Sequence, residues 1–402
     1  MRKRSLDEAG SKAGPKRVSV RVLILTSMLS VFLGILLSVG ALYLRLGENG
    51  LSVLQAMSVI RDRFVGEYEW NNVVDETMDG MVTSLNDRWS YYLTGEEYLR
   101  LQEARENAYT GIGITISKEV GNSIQVLAVA KASPAEEWGV KAGDAILSVN
   151  GVEVTEKNWE NCVELIRGEE GTTVTLVIQS SSEVSRTIEV MRKEIFSIPV
   201  EYEMLPGKIG LVRMMNFYSG SADAFIEGVD SLVQDGAQSI IFDVRDNPGG
   251  YVTELTKMLD HLLPEGTIFV SCNIEGKETT YTSDAASIDL PFAVIVNGES
   301  YSAAEFFAAQ LQESVGAVIV GEKTSGKGYA QQLFPLQNGS AIGLSTSKYY
   351  TAAGVSLIGI GLTPDSPVIL SEEERLLQLQ GEMTHDNDPQ LKAAMAAVSR
   401  SD

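Results

Sequence analysis

The chain has 402 residues, enough for two or three domains, each with its own core. A hydrophobic content of 44% and a charged content of 21% are those of a globular protein, and two cysteines exclude a disulfide framework. A formal net charge of −22 argues against nucleic acid as a partner, because so acidic a surface repels phosphate.

The charge is uneven. Residues 1–21 carry seven Lys/Arg against Asp7 and Glu8, a net of +5, which leaves −27 on the remainder. From Val22 to Leu44 no charged residue occurs. A helix of that length spans roughly 34 Å at ~1.5 Å per residue, enough to cross a hydrocarbon core. The expected arrangement is a cytoplasmic basic segment (1–21), a single-pass cell-membrane anchor (22–44) and an extracytoplasmic body. The rival is a cleaved signal peptide, with small residues at Ser38-Val39-Gly40 near a cut. Its apolar core is usually shorter, so a retained anchor is the expectation.

Residues 45–105 read as a helical region. Met57, Ile60 and Phe64 fit one face over 51–65, and Val74, Met78, Met81 and Leu85 fit another over 73–85. Packing and self-association into a homo-oligomer both suit that pattern. From about Tyr109 to Arg192 short strands take over: Gly111–Ile116, Ser123–Ala130, Asp144–Gly151 and Thr173–Ile178, with one amphipathic helix over Asn158–Gly168. From Gly210 apolar strand candidates alternate with helices expected over 221–234, 251–263 and 303–314, which predicts an α/β core. Residues 371–402 read as a charged tail, helical at first and disordered at its end. Cys162 and Cys272 read as buried thiols, and no metal-ligand spacing occurs.

Two segments carry chemistry. Ser302 begins Ser302-Ala303-Ala304-Glu305, a capping-box signature ahead of Phe306, Phe307 and Leu311. A hydroxyl at a helix N-terminus lies beside free N–H groups and the positive dipole end, which suits a nucleophile as well as a cap. The spacing alone leaves Ser300 as a competitor. Histidine, the usual base, occurs only at 261 and 385, so Lys327 in Thr324-Ser325-Gly326-Lys327-Gly328 is the leading base candidate. It is equally a solvated loop lysine unless burial or nearby positive charge lowers its pKa. The segment lacks the spacing of a nucleotide-binding P-loop. A third element, Asn247-Pro248-Gly249-Gly250, is either an ordinary turn or a source of oxyanion-hole N–H groups.

The array Ala132–Gly151, preceded by Gly111-Ile112-Gly113-Ile114, resembles a PDZ domain over about residues 106–192. Such a domain takes a C-terminal peptide as an added strand. The resemblance assigns Gly111, Ile112, Gly113 and Ile114 to the carboxylate loop and Val163 and Ile166 to the side-chain pocket.

The order NPGG, VNGESYSAAE, GEKTSGKGYAQ and GIGLTPD (Gly359 to Asp365), after a PDZ-like segment, resembles the C-terminal-processing serine peptidases, or tail-specific proteases, from about residue 55 to 370. The resemblance implies an α+β multidomain fold, with a membrane helix, a helical region, a PDZ β-domain (106–192) and an α/β peptidase core of Clp protease/crotonase type (193–370). It implies Ser302 as nucleophile rather than Ser300, Lys327 as base, Gln331 as the residue orienting the lysine, and oxyanion donors at Gly249 or Gly250 and at Ala303. It implies no metal or organic cofactor, and protein or peptide substrates with exposed C-termini. This chain departs from the family at Tyr301 (often Ala), Ala304 (often Ser), Ser325 (often Phe) and Glu313 (often Asp). The alternatives are a catalytically silent PDZ scaffold and a crotonase-like acyl-transfer enzyme.

Overall fold

The computed structural model describes residues 19–118, 122–180 and 184–399. The chain divides into two compact units, residues 1–73 and 74–402. In the first, one helix runs over Val20–Arg63 with no buried residue. It is broken at Gly47, whose φ of +62° and ψ of −173° suit a residue without a Cβ. The uncharged segment 22–44 precedes the break, and the helix expected over 51–65 follows it. Among the described residues this is the one helix long and apolar enough to cross a membrane. Most of the basic segment lies outside the described residues. The helix expected over 73–85 forms as Trp70–Thr83.

In the second unit, strands Ile114–Lys118, Ile124–Val129, Ala145–Val149, Thr173–Gln179 and Arg186–Met191 form an antiparallel sheet in that spatial order. Alternate residues point inward, as period two requires: Val174, Leu176 and Ile178 are buried on one strand. They pack with Ile124, Val126 and Ile146, and with Cys162 and Ile166 of the helix Trp159–Ile166. The buried Arg192 guanidinium donates to the carbonyls of Leu165 (2.8 Å) and Ile166 (3.0 Å), satisfying the end of that helix. The chain enters through Ala108–Gly111 and leaves through Lys193–Phe196, which pair antiparallel. The sheet and its helix are thus an insertion with both connections at one place.

The core is a six-stranded sheet in the order Val200–Leu205, Ile209–Met214, Ser239–Asp243, Phe292–Val296, Val318–Gly321 and Ser366–Pro367, parallel after the first strand. The central strands read as unbroken apolar runs because both faces are covered. Ile240, Phe242, Val294 and Val296 pack with helices Ser221–Gln234, Val252–Leu262 and Ala303–Val315. Ile241, Ala293, Ile295 and Val320 pack with Leu391, Ala394 and Val398 of the helix Pro389–Val398.

The structure corrects three expectations. The end of the chain is not a disordered tail up to residue 399. Asp388 caps the last helix by accepting from the N–H groups of Gln390 and Leu391, and an apolar stripe docks it on the sheet. Residues 45–105 are not wholly helical: Tyr91–Leu93 is a strand paired with Ala341–Thr351 in a second sheet, which also contains Gly266–Asn273, Glu278–Ser283 and Tyr329–Pro335. Cys162 is buried, but Cys272 is partly exposed.

A buried ion network ties the last helix to the loop after Ser239–Asp243. Arg245 donates to Asp243 (2.6 Å) and Asp388 (2.8 Å), all three nearly inaccessible. Removing the cation leaves Asp388 without its ion-pair partner and Asp243 with only the more distant Arg213 (3.6 Å), at a cost of about 3–5 kcal/mol. Arg245→Met is therefore expected to lower the unfolding free energy of this unit, read from its urea transition, by that order; a loss below about 1 kcal/mol contradicts the network's role.

Candidate active site

Three adjacent parallel strands, Ser239–Asp243, Phe292–Val296 and Val318–Gly321, end side by side, and their following loops carry the three motifs. The crevice beyond the carboxyl ends of such strands is where α/β folds place ligands. Here it holds a cavity of about 240 Å3, lined among others by Gly250, Tyr301, Ser302, Ala303, Lys327 and Gln331.

Ser302 and Ser300 have different surroundings. Ser300 is fully buried; its hydroxyl donates to Val244 O (2.7 Å) and accepts from Asn297 N (3.0 Å). Ser302 faces the cavity at the head of the helix Ala303–Val315, with φ +59° and ψ −122°. That conformation is rare for a residue with a side chain and marks stored strain of order 1–3 kcal/mol.

The strain is held by Glu305, whose carboxylate is wholly buried. One oxygen accepts from Ser302 N (3.0 Å) and Lys327 N (2.8 Å). The other accepts from Gly326 N (2.8 Å) and the Thr324 hydroxyl (2.5 Å). The sequence signals the Ser302–Glu305 cap, but not that the same carboxylate clamps the lysine loop. That loop also packs on Gly359-Ile360-Gly361: Gly359 N donates to Gly326 O (2.9 Å), and a Cβ on Gly361 would lie 2.4 Å from Thr324 O.

The NPGG turn separates its two glycines. Gly249 N donates to Asn247 Oδ1 (2.8 Å), so Gly249 is corrected as an oxyanion donor in this geometry. Its lack of a side chain serves packing instead, since a Cβ would lie 2.8 Å from Ala303 N and 2.9 Å from Ser302 Cβ. Gly250 N and Ala303 N have no acceptor among the described residues, and both residues line the cavity. Asp246, at φ +58°, fixes the turn from outside through Asn297, Arg375 and Gln378.

Lys327 is largely withdrawn from solvent. Burial first, and the Arg105 guanidinium second, push its ammonium down to about 8, against the pull of Glu305 and Asp87. Its Nζ lies 4.9 Å from the ring centre of Trp89 and 5.2 Å from that of Tyr301. Arg105 and Trp89 come from the region read by sequence as helical packing. The signal present there is Asp87-Arg88-Trp89-Ser90, a turn in which Asp87 accepts from Trp89 N (3.2 Å) and Ser90 Oγ (2.5 Å). Gln331 reaches the same cavity, but its amide donates to Tyr329 O (3.2 Å), and no bond from it to Lys327 occurs among the described residues. His261 pairs with Asp230 and His385 with Glu203, neither on the cavity.

Gly111, Ile112, Gly113, Ile114, Val163 and Ile166 all line a second cavity of about 400 Å3. Arg100 and Ala104, from the helix Gly95–Arg105, close one side of it. Gly113, at φ +84°, is packed so closely on Ser133 that a Cβ would lie 2.2 Å from the serine Cβ. A third cavity, about 530 Å3, shares Glu103, Tyr109 and Thr110 with this groove and Arg105 with the Ser302 cavity. The groove and the Ser302 site are thus both walled by the helix Gly95–Arg105.

The profile of peptidase family S41 matches residues 208–368, and that of the PDZ domain matches residues 125–180. A carboxyl-terminal-processing protease of Synechocystis is 30% identical over 325 residues, covering 79% of this chain and 75% of that protein. The carboxy-terminal processing protease CtpA of Bacillus subtilis is 30% identical over 333 residues, covering 82% of this chain and 71% of that protein. A crystal structure from Bacteroides fragilis, assigned to the S41 proteases, matches with a TM-score of 0.57 at 18% identity over 85% of this chain and 96% of that one, a likeness of fold. The chain belongs to peptidase family S41 and is a serine peptidase of the carboxyl-terminal-processing group, with a PDZ domain ahead of its core.

Proposed function

We propose that this peptidase holds the C-terminal tail of a protein substrate in the PDZ groove and cuts nearby with Ser302 as nucleophile and Lys327 as base, anchored to the membrane by residues 22–44. One observation carries the catalytic part: Ser302, a buried lysine and two acceptor-free N–H groups converge on one cavity.

Lys327 Nζ takes the Ser302 proton as Oγ attacks the scissile carbonyl carbon. The carbonyl oxygen becomes an oxyanion against Gly250 N–H and Ala303 N–H, where the helix dipole adds to the stabilisation. The Lys327 ammonium returns the proton to the leaving amine, and an acyl-enzyme forms. Water, deprotonated by Lys327, attacks the ester carbonyl; the ammonium returns that proton to Ser302 Oγ as the acyl C–O bond breaks, and the acid product leaves and ionises. Placement of the groove and this cavity on the same helix, Gly95–Arg105, supports tethering, which raises the effective concentration of the bond to be cut. The break at Gly47 supports the anchor, because it falls just after the uncharged stretch 22–44 and sets that stretch apart from the rest of the helix.

Fluorophosphonate labelling tests the dyad without a known substrate. Wild type labels at Ser302, Ser302→Ala does not, and Lys327→Ala labels at least about 10²-fold more slowly, the usual scale of general-base assistance. An unlabelled wild type favours the silent scaffold, and a Lys327→Ala rate equal to wild type removes lysine from the mechanism. The base acts when neutral, so the labelling rate falls as pH drops below about 8 and levels off above it. A flat profile between pH 6 and 9 contradicts the assignment. Glu305→Gln places an amide against N–H donors and is expected to slow labelling by about 10²-fold through misplacement of both groups; a rate within twofold of wild type contradicts that positioning role.

A further inference from the structure

Tyr301 occupies a position where the resembling proteases often carry alanine, and Trp89 belongs to a turn outside every catalytic motif. Their rings nevertheless meet at Lys327. The ring centres are 5.9 Å apart and each lies within about 5 Å of Nζ. Trp89 is fixed by the Asp87–Ser90 turn, which is itself tied to the second sheet through Ser345 N donating to Ser90 Oγ (3.2 Å). Tyr301 is fixed by its N–H donating to Asn247 O (3.2 Å). Both rings are half-buried.

We propose that Trp89 and Tyr301 form an aromatic clamp that stabilises the Lys327 ammonium created when Ser302 gives up its proton, which makes both of them positioning residues of the dyad. The proposal rests on the Ser302–Lys327 reading. A buried base has a difficulty: the environment that keeps it neutral also penalises the cation it becomes during attack. A carboxylate at the same place would hold the lysine charged throughout. A ring face attracts the cation and is nearly indifferent to the neutral amine, so its stabilisation appears with the proton. The other groups around Lys327 divide: Glu305 and Asp87 favour the ammonium, whereas Arg105 opposes it. Arg88, 4.6 Å from the Trp89 ring centre, loads that ring with a second cation. Tyr91, Tyr218 and Tyr349, on the cavity wall, are the other titratable groups facing it.

The test measures the pH dependence of Ser302 labelling by a fluorophosphonate in Trp89→Leu, Tyr301→Leu and the matching Phe variants, with the thermal midpoint of each as a folding control. Loss of a ring face destabilises the ammonium. The Leu variants therefore move the acid limb down by about half to one pH unit and lower the plateau rate about 3- to 10-fold. Trp89→Phe and Tyr301→Phe stay within about twofold of wild type, because a ring remains. The direction is decisive: a variant that merely admitted water would ease the burial of the ammonium and move the limb up. An unmoved or raised limb in both Leu variants, or Phe variants as impaired as Leu, overturns the clamp. If Trp89→Leu does not fold, Tyr301→Leu decides alone. A wild type with no limb near pH 8, or a fully active Lys327→Ala, overturns the dyad instead, and the two failures are read separately.

Discussion

The buried Glu305 carboxylate is the interaction on which the rest of the site depends. Four donors converge on it, and they come from two loops that follow different strands. Without it, the positive φ of Ser302 loses the carboxylate that accepts from its N–H, and the Lys327 loop loses its tie to Ser302. A full negative charge in the interior is costly unless every lone pair is satisfied, and here each oxygen accepts two hydrogen bonds. The energy of satisfying that charge is therefore converted into geometry, which is what a nucleophile and its base require.

The proposed role of Lys327 as base imposes a second constraint, that of remaining partly neutral near physiological pH. The chain meets it with segments far apart in sequence. The Glu305 carboxylate that orders the loop also favours the ammonium, so it works against the function it positions. Withdrawal of the side chain from water, and the Arg105 charge from the helix Gly95–Arg105, set the balance the other way. The same helix lines the PDZ groove through Arg100 and Ala104. The N-terminal segment of the second unit is thus a wall of both sites rather than a spacer between domains.

Much of this was legible in the sequence, for identifiable reasons. Apolar runs bounded by turn residues gave the parallel strands, and the helices over 221–234, 251–263 and 303–314 formed within two residues of expectation at either end. Ser302 was legible as a cap because its partner is three residues away. The other contacts of Glu305 were not, since Thr324, Gly326 and Lys327 lie 19 to 22 residues off and meet it only through the sheet. The turn at NPGG was legible from its composition. The choice between its glycines was not, because it depends on where the Asn247 side chain points. The strands of the second sheet escaped notice: they are half-buried and polar, as in Ser345–Tyr350, and lack a strong alternation. The last helix was misread because its buried stripe is short and rich in alanine, with Asp388-Pro389 as its clearest start signal.

The central claim is that the surroundings of Lys327 lower its pKa to about 8, so that a usable fraction is neutral beside Ser302 near physiological pH. A titration of its side chain by NMR, with isotope-labelled lysine and Lys327→Arg to assign the signal, tests this without any substrate. The account predicts a midpoint near 8, well below the ordinary lysine value. A midpoint at or above about 10 would show an ordinary solvated ammonium and contradict the account.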